Sequence, residues 1–263
     1  DDANIIDPFH LEAYGKVAVN YNRDVETFPV LKAMMERILG ASPYQSPTDM
    51  GVNMAGLAIC DDEAVCDAAR MEIVRRYFSA CVNTKRTGCG ADQISKLKML
   101  MKQAGVTPDL SPIRAAALAK EEATGKPAGA LMLPNGEVIS GRTSTRLGAA
   151  SSLLLNALKY LAGIPEETYI ISNEAIDPIC HLKTELLHSK NPRLHSDEML
   201  IALSLSSATE PLAARAIEAA EQLRGCDAFF SVIISSADEK LYRTLGINVS
   251  CEAKYERSSY YHK

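Results

Sequence analysis

Residues 128–148 read AGALMLPNGEVISGRTSTRLG, and this stretch decides the fold class. Ala128 to Leu133 is a run of small and apolar residues suited to a buried strand. Asn135-Gly136 is a two-residue hairpin signal, because both residues tolerate the positive φ of a type I′ turn. Glu137 to Ser140 is then the returning strand. A long helix is expected from about Thr145 to Leu161, followed by Gly163 and Pro165.

Downstream, Tyr169 to Ser172 reads as a short strand, and Asp177-Pro178, Ser196 and Thr209 each open a helix. Ala228 to Ser235 is the most apolar strand and is expected at the centre of the sheet. A short helix ending at Gly246 and a last strand from Ile247 to Cys251 follow. A hairpin followed by alternating helices and strands predicts a mixed sheet with helices on both faces and right-handed parallel crossovers. The element order is similar to the topology of cytidine-deaminase-like folds.

Upstream of Lys126 the pattern is mostly helical. Val17, Val19 and Tyr21 alternate as a short extended segment, and a helix is expected from about Pro29 to Leu39 with Thr27 as cap and Gly40 as stop. Residues 41–56 are rich in turn formers. Asp61 is placed to cap a helix through about Val82, with Lys85 and Arg86 just beyond it. Asp92 starts a helix ended by Gly105, and Ser111-Pro112 opens one that ends near Gly125. The expected organisation is a mainly helical domain over 1–125 and a three-layer α/β/α domain with a mixed sheet over 126–263.

The composition bounds the function. The 263 residues are 47% apolar, enough for a sizeable core. Lys and Arg number 28 against 33 Asp and Glu, a formal charge of −5, which disfavours a dedicated nucleic-acid binder. No run of about 18 apolar residues occurs, so no membrane span or membrane partner is expected. The chain opens Asp1-Asp2-Ala3 without an initiator Met or a signal region, and is expected to be a fragment or a processed product. Its seven cysteines are odd in number and irregularly spaced, with no C-x-x-C, which points to free thiols in a reducing cytoplasm.

Several segments together resemble a bacterial family. They are residues 4–15 (NIIDPFHLEAYG), 19–26 (VNYNRDVE) and 46–54 (SPTDMGVNM), with the closing Tyr261-His262-Lys263. The family is domain of unknown function 1846, also called uncharacterised protein family 371. The resemblance implies that members are about twice this length, so that this chain corresponds to their C-terminal half. It also implies that the other half carries a glycine-rich loop similar to a phosphate-binding loop, and that the family has no established activity. Some members are labelled ATP-dependent peptidases. This sequence contains neither H-E-x-x-H nor G-x-S-x-G, so the resemblance transfers no catalytic residue.

The best chemical candidate is Arg142-Thr143-Ser144-Thr145-Arg146, between the hairpin and the expected helix. A helix start offers unpaired N–H groups and partial positive charge, and hydroxyls with two guanidiniums add donors suited to phosphate or carboxylate. The site is expected to form where these amides and guanidiniums converge. The plainer reading is ordinary capping with surface arginines. Arg23 and Asp24, with Asp49 and Asn53 in the 46–53 loop, form a second candidate, against which stands simple turn formation. Lys85 and Arg86 form a third, although cations also complement a helix C-terminus without any ligand.

No metal site is expected. His10-Leu11-Glu12 fits the first piece of a zinc-deaminase signature, but no Pro-Cys-x-x-Cys follows, and Pro178-Ile179-Cys180-His181 is a poor imitation. His181, His188 and His195 recur every seven residues, but Asn191-Pro192 interrupts the helix, which leaves loop or cap histidines. Ser-His-Asp or Cys-His triads stay open, because such partners meet in space rather than in sequence.

The sequence thus supports part of a cytoplasmic enzyme that binds a phosphate- or carboxylate-bearing small molecule, with no cofactor identified and the rest of the longer protein as a partner. The alternative is a structural, homo-oligomerising module whose apolar helices, for instance at Met34, Met35, Met99 and Met101, pack subunits together.

Overall fold

The computed structural model describes residues 34, 37–40 and 62–256. The expected segment at Val17–Tyr21 and the turn-rich stretch 41–56 lie outside the described residues. The chain forms two compact units, Asp1–Ser111 and Pro112–Lys263.

In the first unit, helix α1 spans Asp62–Thr87 and α2 spans Ala91–Ala104. Ile73, Val74 and Phe78 of α1, and Leu97, Leu100 and Met101 of α2, are buried at helical spacing. α1 runs past the expected end at Val82, so Lys85 and Arg86 sit within its last turn. Gly105 ends α2 in the left-handed region, as the sequence suggested.

The second unit begins with α3, Pro112–Thr124, which packs on the sheet it precedes. The boundary between units therefore lies before α3 rather than after residue 125. The sheet contains β1 (Ala128–Met132), β2 (Val138–Arg142), β3 (Asp227–Phe230) and β4 (Asn248–Cys251), in the spatial order β2-β1-β3-β4. β1 pairs antiparallel with both β2 and β3, and β3 pairs parallel with β4. This is the expected mixed α/β architecture, with β3 interior in the sheet. The hairpin falls where expected but not through a two-residue type I′ turn: the Gly136 N–H donates to the Leu133 carbonyl at 2.9 Å, which makes Pro134-Asn135 the central residues, and of Asn135 and Gly136 only the glycine takes a positive φ, 83°.

Around the sheet lie α4 (Ala149–Leu161), α5 (Asn173–His181), α6 (Ser196–Ser206), α7 (Pro211–Glu218) and α8 (Ser236–Thr244). α4 covers the β1–β2 face that carries Gly129 and Gly141. A Cβ at Gly141 would lie 2.4 Å from the Leu153 backbone nitrogen, so only glycine admits the helix this close. Ala128 and Ala130 occupy the opposite face and are also fully buried, with α3 packed against the same strands. α8 anchors through Tyr242, whose hydroxyl donates to the Ala150 carbonyl at 2.7 Å and whose ring meets Phe230 edge-on.

Three local expectations are corrected. Residues 169–172 form no strand: Ser172 instead caps α5, its backbone N–H bonds the Ser206 hydroxyl, and Tyr169 is 95% exposed. α5 consequently starts at Asn173, and Pro178 lies inside it rather than at its opening. The long helix α4 starts at Ala149, not Thr145, with Gly148 as its N-cap.

Candidate functional site

The register aligns Ala128 with Arg142, Gly129 with Phe230, and Phe230 with Cys251. One edge of the sheet therefore gathers the carboxyl ends of β2, β3 and β4 beside the start of β1. Ligands of open α/β sheets bind outside such carboxyl ends, where connections diverge and leave a crevice. A cleft of about 530 Å³ opens on this edge. Its floor includes Pro127, Thr143 and Val232, and its walls are Thr145, Arg193 and the Lys254–Glu256 stretch after β4, with Lys126 and Glu121 at the rim.

Thr143 is the first residue beyond β2 and only 3% exposed. Its N–H donates to the Pro127 carbonyl at 2.8 Å, which fixes the backbone. Its Oγ1 has no hydrogen-bond partner among the described residues, although it lines the cleft. The oxygen is not sealed from solvent, so it can bond a ligand oxygen in the cleft.

The predicted segment divides on inspection. Ser144 closes its own turn: its Oγ accepts from the Leu147 N–H at 3.0 Å and from the Arg146 N–H. Arg142 is exposed, and its Nη1 reaches only the carbonyl of Thr143. Arg146 is 45% exposed and pairs with Asp177 at 2.6 Å, with Asn173 beside it. The two guanidiniums do not converge on the start of α4. The first turn of α4 is itself covered, with Ala149, Ala150 and Ser151 buried and the Ser151 hydroxyl donating to the Leu194 carbonyl. Thr143, Ser144 and Thr145 reach the cleft as strand-end and loop residues rather than as a helix N-terminus.

Arg193 enters the cleft from the segment before α6. Its N–H donates to Asn191 Oδ1 at 3.1 Å and its carbonyl accepts from Lys183 Nζ at 2.6 Å. The next residue, Leu194, bridges in parallel to Leu147 and joins this wall to the Thr143–Thr145 loop. Two ion pairs line the cleft, Arg193–Glu256 at 2.8 Å and Lys254–Glu121 at 2.6 Å.

Behind that wall sits a polar cluster. Asp238 Oδ1 accepts from the Ser196 N–H and Oγ, and Oδ2 contacts His195 Nδ1 at 3.0 Å and accepts from Ser235 Oγ at 2.6 Å. The hydrogen bond to Asp238 raises the pKa of His195, against burial. Burial pushes Asp238 upward, but its bonds to His195, Ser235 and Ser196 together hold it below the usual carboxylate value. Ser235 lies on the same Nδ1 side of the ring as the carboxylate, so it is no activated nucleophile: a triad serine must face the other ring nitrogen. Burial pushes the thiols of Cys180 and Cys226 up, away from reactivity.

Of the other predicted residues, Arg23, Asp24, Asp49 and Asn53 lie outside the described residues. Lys85 and Arg86 are exposed at the end of α1, where they complement the helix C-terminus. Met34 and Met99 are exposed, whereas Met101 is buried in the first unit, and the side chain of Met35 lies outside the described residues. Among the described residues, no group of three His, Cys, Asp or Glu is arranged to hold a metal, and no helix is long and apolar enough to cross a membrane. Sequence reasoning missed Lys126, Arg193, Lys254, Glu256 and the His195–Asp238 pair. Only the position of Lys126 just before the hairpin gave a local signal.

Comparison with known proteins adds a family context. Residues 1–105 match the family described as domain of unknown function DUF1846, N-terminal, and residues 109–261 match its C-terminal counterpart. A UPF0371 protein of Corynebacterium efficiens is 51% identical over 263 residues, covering 100% of this chain and 53% of its own length. UPF0371 proteins of Corynebacterium diphtheriae and Streptococcus thermophilus are 49% and 48% identical over the same 263 residues, each again covered over 53% of its length. The chain thus spans about half the length of these relatives. The expectation of a C-terminal half alone is too narrow, because residues 1–105 match the N-terminal description.

Proposed function

This chain belongs to the DUF1846 (UPF0371) family, and from that premise we propose that its second unit binds a small molecule bearing a phosphate or carboxylate in the cleft at the sheet edge. The observation that carries the reading is the Thr143 hydroxyl, which belongs to a largely buried residue, has no hydrogen-bond partner among the described residues and lines a cleft edged by Lys126, Arg193 and Lys254. A hydroxyl can donate to an oxyanion, and three cations against the two carboxylates of Glu121 and Glu256 leave a surplus of positive charge. The ligand contacts move from the arginine pair of the sequence reading to Thr143, Thr145, Lys126 and Arg193. We read the protein as part of a cytoplasmic enzyme, to which the further length of its relatives contributes groups. The free thiols of Cys81, Cys89, Cys180, Cys226 and Cys251 support a reducing compartment.

The test is a calorimetric titration of the full chain with a panel of phosphorylated and carboxylated metabolites. Thr143→Val keeps the shape of the side chain and removes the hydroxyl. It is expected to weaken the best ligand about tenfold, the value of a hydrogen bond to a charged group. Melting temperature should hold, because the hydroxyl has no hydrogen-bond partner among the described residues to lose. A variant with unchanged affinity would remove the basis of this assignment.

A further inference from the structure

Thr168-Tyr169-Ile170-Ile171-Ser172 has the β-branched and aromatic make-up of a strand, yet it pairs with no strand among the described residues. It joins α4 to α5, is neither helix nor turn over 168–170, and bends at Ile171. A stretch whose local preference goes unused in the fold is where a functional surface is expected.

The stretch is fixed at both ends and from behind. Ile170 is 2% exposed. The Thr168 N–H donates to the Pro165 carbonyl at 3.1 Å, and the Ser172 N–H donates to the Ser206 hydroxyl at 3.1 Å. Upstream, the Lys159 ammonium donates to the Glu166 carbonyl. Between these ties, no described residue bonds the N–H or C=O of Tyr169, Ile170 or Ile171. Main-chain groups of a folded protein are rarely left unpaired, and an unpaired strand-like run is a template for another chain.

A groove of about 420 Å³ adjoins the run, lined by residues 169–173 on one side and by Ser206, Thr209 and Glu210 on the other. Tyr169 lines it while 95% exposed, which leaves the ring free to cover an incoming chain. The surroundings are acidic. Glu210 lines the groove, Glu166 and Glu167 precede the run and Glu174 follows it, the last three exposed. These carboxylates outnumber the nearby cations: Lys159 is 5% exposed and turned to the Glu166 carbonyl, and Arg215 bonds the Ala162 carbonyl. Arg146 reaches Asn173 but is matched by Asp177.

We propose that this groove binds an extended basic peptide, a segment of another protein, which pairs its main chain with residues 169–171 and packs against the Tyr169 ring. Main-chain hydrogen bonds give such a mode its affinity, and the side chains alternating along the added strand give its choice of sequence. Lysine or arginine side chains meet the carboxylate of Glu210 and its neighbours. The bend at Ile171 keeps the ladder short, so affinity leans on Tyr169 and on charge. The groove shares no lining residue with the cleft at the sheet edge, and the two readings stand or fall separately.

The experiment follows the anisotropy of a labelled alternating lysine–valine heptapeptide titrated with the full chain at low salt. Saturable binding is expected, and no saturation below about 1 mM would overturn the proposal. Tyr169→Ala is expected to weaken binding about tenfold with an unchanged melting temperature, because the ring is exposed, whereas Tyr169→Phe keeps the affinity. Binding that Tyr169→Ala leaves intact would be mere attraction to an acidic chain and would overturn the site. The same peptide N-methylated at every second amide, in either phase, tests the ladder: one phase is expected to lose binding, and full binding by both would overturn main-chain pairing. A glutamate–valine heptapeptide is expected not to bind, and equal binding would overturn the charge argument. A parent chain that is dimeric by sedimentation, turns monomeric in Tyr169→Ala and ignores the peptide would make the groove a contact between copies, which overturns the proposal as well.

Discussion

Asp238 concentrates four polar contacts on two oxygens inside the second unit, and its pair with His195 sets a pH dependence. Asp238 is depressed in the folded state, so its contribution is present above the ordinary carboxylate pKa, about 4, and is lost as pH falls through the lower folded value. His195 is raised, so its contribution is complete below the ordinary imidazole pKa, about 6.5, and is lost as pH rises through the higher folded value. Lys183 opposes the raised state of His195 and Glu198 favours it, both acting at a distance. The expected result is a melting temperature that is highest between about pH 4 and 6.5 and declines on the alkaline side. His195→Gln should flatten that decline, and Asp238→Asn should cost about 3 kcal/mol near pH 6, as breaking an enclosed pair does. Calorimetry from pH 4 to 9 checks both, and parallel curves for parent and His195→Gln would refute the linkage. None of this was legible in the sequence: His195 and Asp238 lie 43 residues apart, and His195 reads locally as an unremarkable cap before Ser196.

The place of the hairpin is what the sequence specifies best, because Pro134, Asn135 and Gly136 are turn formers and Gly136 supplies the positive φ, although the central pair is Pro134-Asn135 rather than Asn135-Gly136. The start of α4 is the element it specified worst. Thr143-Ser144-Thr145 has the composition of a helix cap, yet Ser144 turns back on residues 146 and 147, and Leu147 is drawn to Leu194. That bridge postpones the helix to Ala149 and leaves Thr143 beside the cleft. Close contact between α4 and the sheet then hangs on Gly141. Gly141→Ala would set a methyl 2.5 Å from the Leu153 Cα, backbone against backbone, with no flexible side chain to yield. The expected cost is about 3 kcal/mol, typical of overpacking a tight interface, read as a shift in urea midpoint at constant slope. A loss below about 0.5 kcal/mol, within the range of an ordinary surface substitution, would show that α4 can retreat freely.

At the scale of the molecule, the sheet is completed only by α3, which lies before the hairpin and covers Ala128 and Ala130 from the side opposite α4. A chain cut to residues 112–263 is therefore expected to melt cooperatively by circular dichroism, whereas one cut to 126–263 exposes an apolar sheet face and should show no cooperative transition. Equal behaviour of the two would mean that α3 is dispensable to the core. The sequence by itself determined the α/β class, the place of the hairpin and the interior position of β3, because turn formers and apolar runs act over a few neighbouring residues. Tertiary structure alone decided which polar groups meet. Thr143 became a candidate contact when packing buried most of the residue and left its hydroxyl at the cleft. Arg193 and Glu256 became a pair when a strap after the last strand crossed a loop more than sixty residues earlier in the chain. Burial and proximity at such separations depend on how whole elements stack, which no local stretch of residues encodes.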